Sequence, residues 1–348
     1  MSNTATVLAF DFGASSGRAI RAVYDGQNLT YEEIHRFENV PIEKDGHLCW
    51  DVETLLKEIH TAIQKAGTFD SLGFDTWGVD FGLLDADGHL LANPVHYRDA
   101  RTNGKPEQAA ACMPAEELYA HTGNQIMAIN TLFQLLALQE QEPELLQKAE
   151  QILFMPDLFA ALLGAEPVCE RSIASTSQML DPRTGQWSRE VLTAYGLKEN
   201  HFAPLVASGT VTGTLTTGAK IIAVAGHDTQ CASAAMPCAE EDAEHTAFLS
   251  CGTWSLLGTE LDTPILTADS CQSGLSNELG ANGKINYLKN IIGLWLIQES
   301  RREYKRRGQA YSFAELEQQA LAAEPLRSFI DPDAPEFVAP GDLPGRIQ

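Results

Sequence analysis

One pattern, used twice, limits what this chain can fold into: an apolar strand, a short loop of small residues, then a second strand. The first copy is VLAFDFGASSGRAIRAVYD, residues 7–25, and the second is TAFLSCGTWSLLGTEL, residues 246–261. Val7 to Phe10 read as a buried strand and Arg18 to Tyr24 resume with partial alternation, while Gly13, Ala14, Ser15, Ser16 and Gly17 carry almost no side-chain bulk. A turn that only reverses the chain takes two residues of the Asn-Gly kind. Five small residues, two of them hydroxylated, with an arginine behind them imply a loop whose backbone is approached by something else. Reuse of the device with different letters predicts two related domains.

The stretches between fit an α/β chain. A third alternating segment, LTYEEIHRF, follows the first hairpin; VETLLKEIHTAIQK, residues 52–65, sets Val52, Leu55, Leu56, Ile59 and Ile63 at helical spacing; SLGFDTWGVDFGLLDADGHLL returns to strands. Helices are predicted over 115–122, 131–149 and 156–163. Residues 202–220 read as irregular, IIAVAG at 221–226 as a buried strand and 232–236 as a short helix. PCAEEDAEH, residues 237–245, is the most acidic stretch between apolar elements and predicts domains of 1–240 and 241–348. A helix is predicted from Asn290 through IIGLWLIQESRREYKRR, and the tail 329–348 shows no closing element.

With 24 Lys and Arg against 47 Asp and Glu, the chain carries a formal charge of −23 over its 348 residues. That field repels polyanions, which argues against nucleic acid and anionic membranes as partners but leaves a locally held nucleotide open. Seven cysteines show no C-x-x-C pair and no histidine at zinc spacing, and the N-terminus lacks a basic and apolar leader. These features predict reduced thiols in the cytoplasm and no membrane attachment.

Gly13 to Gly17 spell G-x-S-x-G, the nucleophile elbow of serine hydrolases, but an elbow leads into a helix, whereas Arg18 to Tyr24 read as a strand. A phosphate-cradling hairpin accounts for more: consecutive N–H groups, the Ser15 and Ser16 hydroxyls and the Arg18 guanidinium, with Asp11 placed to hold magnesium through water. The second hairpin, Ser250 to Thr253, offers a further phosphate contact through the Thr253 hydroxyl. In AGHDTQ, residues 225–230, Asp228 follows a buried strand directly and suits a general base, although a His-Asp pair also serves as a plain cap. GFDTWGVDFGLL is read as a hairpin carrying Asp75, Trp77, Gly78 and Asp80; it suits a sugar and equally suits a core tryptophan with turn carboxylates. The basic run 301–307 reads as a solvated complement to a helix C-terminus ahead of an anion site.

The ordered set DFGASSGR, IHRFEN, GFDTWGVDFGLLD, YRDARTNG, FMPDLFA, GHDT, SCGTWSLLG and LKNIIGLWLIQE resembles the FGGY carbohydrate kinases, within the actin-like ATPase fold, and in particular their rhamnulose-phosphorylating branch. The resemblance implies two actin-like (ribonuclease H-like) α/β domains with a cleft between them, the second incomplete. It also implies ATP-dependent phosphorylation of the 1-hydroxyl of L-rhamnulose with Mg2+. It further implies that Ala14, Ser15, Ser16, Gly17 and Arg18 contact ATP phosphates, that Thr253 and Gln298 contact the nucleotide, and that Gly78, His227, Asp228, Thr229 and Asn290 contact the sugar. Asp228 would be the base, Asp11 the metal residue, and Arg98, Asp99 and Arg101 structural. Family members continue past the position of Gln348 through a glycine-rich loop over adenosine. A kinase of fuculose or xylulose, and a sugar-binding fragment without transfer, therefore stay open beside the rhamnulose reading, as does a monomer or a homodimer.

Overall fold

The structure is a computed structural model that describes residues 4–239, 242, 245–338 and 340–348. The domain boundary expected between residues 240 and 241 lies outside the described residues. The chain divides into two compact units, residues 1–246 with 259–287, and residues 247–258 with 288–348.

In the first unit β1 (Ala5–Phe12), β2 (Ser16–Tyr24) and β3 (Leu29–Glu38) form an antiparallel meander. The parallel strands β4 (Ser71–Thr76) and β8 (Lys220–Ala223) follow on the other side of β1, and the edge strand β7 (Thr210–Thr214) completes a six-stranded sheet in the order β7-β8-β4-β1-β2-β3. Alternation along β1 explains its two faces. Leu8, Phe10 and Phe12 are fully buried, with Phe10 stacked on Phe74 at 4.8 Å and Phe12 on Phe159 at 4.8 Å, so Asp11 is turned to the other side. Register sets Asp75, Asp11 and Arg18 level on three adjacent strands.

The helix predicted at 52–65 is α1 (Val52–Ala66). Asp51 caps it by accepting from the Thr54 N–H at 3.1 Å, a bond that stabilises such a helix by about 1 kcal/mol, and Leu55, Ile59 and Ala62 fill its inner face. Several expectations are corrected. The hairpin over Asp75 to Asp80 does not form: β4 ends at Thr76 and pairs with β1 and β8, while β5 (Phe81–Leu84) pairs with β6 (Gln151–Phe154). The helix expected over 131–149 breaks into Thr131–Gln141 and Pro143–Lys148, because Pro143 offers no N–H and pushes Glu142 out of helical geometry (φ −136°). Residues 202–220 contain β7, and the short helix expected at 232–236 starts earlier as α2 (Asp228–Ala234).

The second unit holds the hairpin of β9 (Phe248–Cys251) with the start of β10 (Trp254–Leu261), in register from Phe248 opposite Gly258 to Cys251 opposite Ser255. The helix expected from Asn290 begins at Trp295 as α3 (Trp295–Arg306), since Asn290 still lies within the strand Ile285–Ile292. The basic end of α3 is consumed locally: Arg306 pairs with Glu299 at 2.8 Å, and Arg307 with Glu303 at 2.7 Å and Asp342 at 2.5 Å. Among the described residues of this unit two helices lie outside those the sequence predicts, Phe313–Ala322 with a Ser312/Glu315 capping box and the five-residue Leu343–Ile347. Among the described residues no helix is long and apolar enough to cross a membrane.

Candidate active site

The segment Gly226-His227-Asp228 leaves the sheet between β8 and α2 and is held at both sides. The Gly226 carbonyl accepts from Thr76 N–H at 2.9 Å, and the Gly226 N–H donates to Glu170 Oε2 at 3.0 Å. A Cβ on Gly226 would lie 2.9 Å from Pro156 Cγ and 3.2 Å from Ile173, so only glycine passes here. Glu170 is buried and also accepts from the N–H groups of Ser172 and Ile173. Glu170 escaped the sequence reading; a lone glutamate far along the chain carries no local signal.

His227 is buried between two carboxylates. Its Nδ1 donates to Glu278 Oε2 at 2.9 Å, and its Nε2 lies 3.5 Å from Asp228 Oδ1. Burial alone would drive the imidazole toward neutrality, but Glu278, Asp228 and Asp75 outweigh it and push its pKa up to about 9. Asp228 Oδ1 accepts the Thr229 N–H at 2.6 Å and, more weakly, the Thr229 hydroxyl at 3.3 Å. Among the described residues no hydrogen bond reaches Asp228 Oδ2. Burial raises the Asp228 carboxyl and Asp11 adds to that, while His227 and the Thr229 N–H oppose it.

Gly78 faces the same imidazole: a Cβ there would sit 3.4 Å from His227 Nε2 and 3.3 Å from the Thr176 side chain. Val79 next to it has φ +69°, a left-handed conformation that a β-branched residue adopts only under constraint. The constraint is visible, since Val79 N–H donates to Thr176 Oγ1 at 3.1 Å and its carbonyl accepts from Thr131 Oγ1 at 2.6 Å. Trp77 and Asp80, which the sequence left open between sugar and core, belong to the core. Asp80 is fully buried, and its Oδ2 accepts Trp50 Nε1 at 2.6 Å, Trp77 Nε1 at 3.0 Å and Tyr97 N–H at 3.2 Å, with Gln134 Nε2 on Oδ1 at 2.9 Å. Asp99 likewise accepts from Leu48 N–H at 2.8 Å and Arg101 N–H at 2.9 Å, and Arg101 donates to Gln134, in a structural staple.

Asp75 is the acid whose proton is held most strongly in this corner. Burial, then Asp11 and Asp228, raise its carboxyl well above the usual range. Arg18 meets Asp11 through Nε at 2.8 Å and Nη2 at 2.5 Å, both on Oδ2, so Oδ1 is the oxygen left for a cation. A hard divalent ion held through water suits one carboxylate oxygen among several acids. The tightest group of three possible metal-ligating atoms among the described residues lies elsewhere, at Asp85, Asp87 and His89, where Asp85 closes an exposed turn by accepting from the Asp87 and His89 N–H groups.

The β1–β2 loop is shaped by a residue the sequence reading did not single out. Buried Asn39 donates its side-chain amide to the Gly13 carbonyl at 3.0 Å and its N–H to the Ser15 carbonyl at 3.1 Å. This turns Ala14 and Ser15 into a fixed apex, followed by Ser16 and the exposed Arg18. Gly17 is small for a different reason, because a Cβ would sit 2.3 Å from the Phe37 ring. In the second unit, Thr253 Oγ1 donates to Gln298 Oε1 at 3.2 Å, and the Gly252 and Thr253 carbonyls accept from the N–H groups of Leu294 and Trp295 at 3.0 and 3.1 Å. Two expected nucleotide contacts are thus brought together. Of the expected sugar residues, Gly78, His227, Asp228 and Thr229 share the first unit, while Asn290 lies in the second.

Residues 6–234 match the N-terminal domain of the FGGY family of carbohydrate kinases, and residues 247–348 match its C-terminal domain. The chain belongs to this family. It is 40% identical to a rhamnulokinase of Bacteroides thetaiotaomicron, over 98% of this chain and 72% of the relative, and 39% identical to one of Enterococcus faecalis, over 99% and 70%. The ligand-bound xylulose kinase of Lactobacillus acidophilus superposes with a TM-score of 0.72 at 16% identity over 92% of this chain, and the ADP-bound glycerol kinase of Plasmodium falciparum with 0.66 at 16% identity over 85%. The chain spans 66% and 63% of those two structures' lengths. The fold class is that of FGGY sugar kinases, α/β with actin-like (ribonuclease H-like) architecture.

Proposed function

We propose that this FGGY chain transfers the terminal phosphoryl group of ATP to the 1-hydroxyl of L-rhamnulose in the cytoplasm, giving L-rhamnulose 1-phosphate. The observation that carries the reading is Asp228: a carboxylate at the first residue of α2, beside a buried charged histidine, with one oxygen left without a donor among the described residues. Likeness to rhamnulokinases supports the choice of ketose.

In this reading the sugar lies against Gly78, where the missing side chain gives it room, and His227 donates to a sugar oxygen. Asp228 Oδ2 accepts the 1-hydroxyl proton as the sugar oxygen forms its bond to phosphorus, and the bond from phosphorus to the ADP oxygen breaks. Ala14 to Arg18 hold phosphate oxygens through the apex fixed by Asn39, and Thr253 and Gln298 contact the nucleotide. Asp11 would hold magnesium, which supplies charge neutralisation on the phosphates. Thr229 keeps Asp228 aimed, and Asn290 adds a sugar contact. The phosphate-hairpin and base functions are assigned to a domain of 1–240, and the Thr253 and Gln298 contacts to one of 241–348.

The test is coupled ADP release with MgATP and L-rhamnulose, beside L-fuculose, D-xylulose and other ketoses, with calorimetric sugar binding on the same sample. Turnover highest with L-rhamnulose supports the proposal. Turnover highest with another ketose replaces the substrate, and sugar binding without ADP release overturns the transfer activity.

A further inference from the structure

We propose that Glu278 is a positioning residue of this site, acting through His227 to keep Asp228 ionised and aimed. The inference rests on the reading of Asp228 as the base.

Glu278 is more deeply buried than His227, at 4% against 8% exposed, and arrives from a strand, Leu275–Leu279, some fifty residues further along the chain. Its place is not adjustable. Leu279 N–H donates to Ser175 Oγ at 2.9 Å, Asn277 N–H to the Gly123 carbonyl at 2.8 Å, and Gln125 N–H to Ser276 Oγ at 2.9 Å. Those bonds seat Ser276, Asn277 and Leu279, on either side of Glu278, on segments of the same unit. A buried carboxylate survives only with donors, and Glu278 Oε2 has two of them, His227 Nδ1 at 2.9 Å and Gln230 Nε2 at 2.8 Å. The Gln230 amide is itself oriented, because its oxygen accepts from Asn286 Nδ2, which also donates to Ser233 Oγ at 3.0 Å.

The consequence falls on the base. Around Asp228 the protein supplies burial and Asp11, both of which favour the protonated acid, and a proton already on Asp228 cannot be exchanged for the sugar's. His227, with Nε2 3.5 Å away, is the charge that opposes them. Its own proton depends on the acids facing it: Glu278 first, then Asp228 and Asp75. Glu278 is the one of these three that makes a hydrogen bond to the ring, so it both sets the ring's rotation and secures its charge. Arg18 stands further off, paired with Asp11 on the neighbouring strands.

The experiment uses the full chain with Glu278→Gln, which keeps shape and removes charge, and Glu278→Asp, which keeps charge. The first readout needs no turnover: the His227 ring titration by NMR. It is expected to fall by roughly two pH units in Glu278→Gln and to recover at least half of that in Glu278→Asp. The second is the pH profile of ADP release with MgATP and L-rhamnulose. Glu278→Gln is expected to lose about tenfold or more in kcat at pH 7 with the sugar KM within about threefold, and to regain activity as pH rises. An unmoved His227 titration overturns the inference, and so does a loss that is equal at every pH. If Glu278→Gln does not fold, Glu278→Asp decides alone: a His227 titration near that of the parent with restored kcat supports the role, and a parental titration with kcat still lost overturns it. Full turnover in Asp228→Asn with a shifted His227 titration would instead sink the reading of the base and leave the coupling of Glu278 to His227 intact.

Discussion

Asp80 and Asp228 stand in the same unit and are used in opposite ways. Asp80 is fully buried and takes hydrogen bonds from Trp50, Trp77, Tyr97 and Gln134, so both oxygens are occupied. Asp228 takes its bonds on one oxygen, from its own neighbour Thr229, with a charged histidine at 3.5 Å. Both carboxyls are raised by burial, Asp80 to about 6, so proton affinity alone does not separate them. Donor occupancy does. A carboxylate with both oxygens engaged ties elements together; one with an open oxygen at the start of a helix is free to take a proton from a substrate.

The strongest way to break this contrast is to exchange the open oxygen. Asp228→Asn keeps the shape and removes the base, so kcat is expected to fall by about 10³-fold while calorimetric affinity for the ketose stays within a few-fold. Near-normal ADP release in that variant would mean that Asp228 is another structural acid. Asp80→Ala should do the reverse. It strands two indole N–H groups and an amide in the core, which costs about 3 kcal/mol or more and lowers Tm by roughly ten degrees, with little change in kcat for the molecules that remain folded below the transition. A parental Tm would show that the donors around Asp80 find other partners.

These two acids were not separable from the letters. Both sit in short motifs beside glycine and an aromatic or histidine residue, and the hairpin expected over GFDTWGVDFGLL leaves Asp80 open between a sugar contact and a turn carboxylate. What was legible was local. The helix at Val52–Ala66, the β1–β2 hairpin and the strand before Gly226 each announce themselves through periodicity or small residues within a few positions. What was not legible depends on distant partners: Glu170 under Gly226, Glu278 against His227, Asn39 clamping the β1–β2 apex, and Phe37 accounting for Gly17. Pairing β5 with β6 instead of β4 is a tertiary choice of the same kind, because two apolar strands separated by a short link can each prefer another neighbour.

A finer test concerns pH. His96 stacks on Trp50 at 4.2 Å, and its Nδ1 accepts from Arg98 N–H at 2.9 Å, which requires a neutral nitrogen there. Burial, then Arg98, push its pKa down to about 3. The unfolded chain then binds the proton that the folded chain refuses, so this contribution is present above pH 6.5 and is lost as pH falls, by about 2 kcal/mol between pH 7.5 and pH 5. Asp80 carries the opposite sign, since a raised carboxyl binds its proton more tightly when folded; it returns about 1 kcal/mol over the same interval. His96→Gln keeps an acceptor and removes the first effect. Between pH 7.5 and pH 5 the denaturation midpoints should therefore shift less toward instability in the variant than in the parent, by an amount equivalent to about 2 kcal/mol. An unchanged difference would place the acid sensitivity outside the tryptophan cluster.

The smallest expected effect separates two glycines. Gly17 and Gly78 both lie in motifs read as ligand contacts, yet a Cβ on Gly17 would enter the Phe37 ring at 2.3 Å, whereas one on Gly78 would meet Thr176 at 3.3 Å and His227 Nε2 at 3.4 Å. Contacts of that length can be accommodated by shifts of a few tenths of an ångström, so Gly78→Ala should fold nearly as well as the parent. Its methyl would occupy the space in front of the imidazole, which is where the proposed sugar sits, so the ketose KM should rise about tenfold, equivalent to about 1.4 kcal/mol, with kcat changed less. Gly17→Ala should show the other pattern, a lowered Tm with the ketose KM unchanged, because its methyl is spent against Phe37. If Gly78→Ala also lowers Tm and leaves KM alone, Gly78 is a packing glycine like Gly17, and the sugar must approach Asp228 from another side of His227.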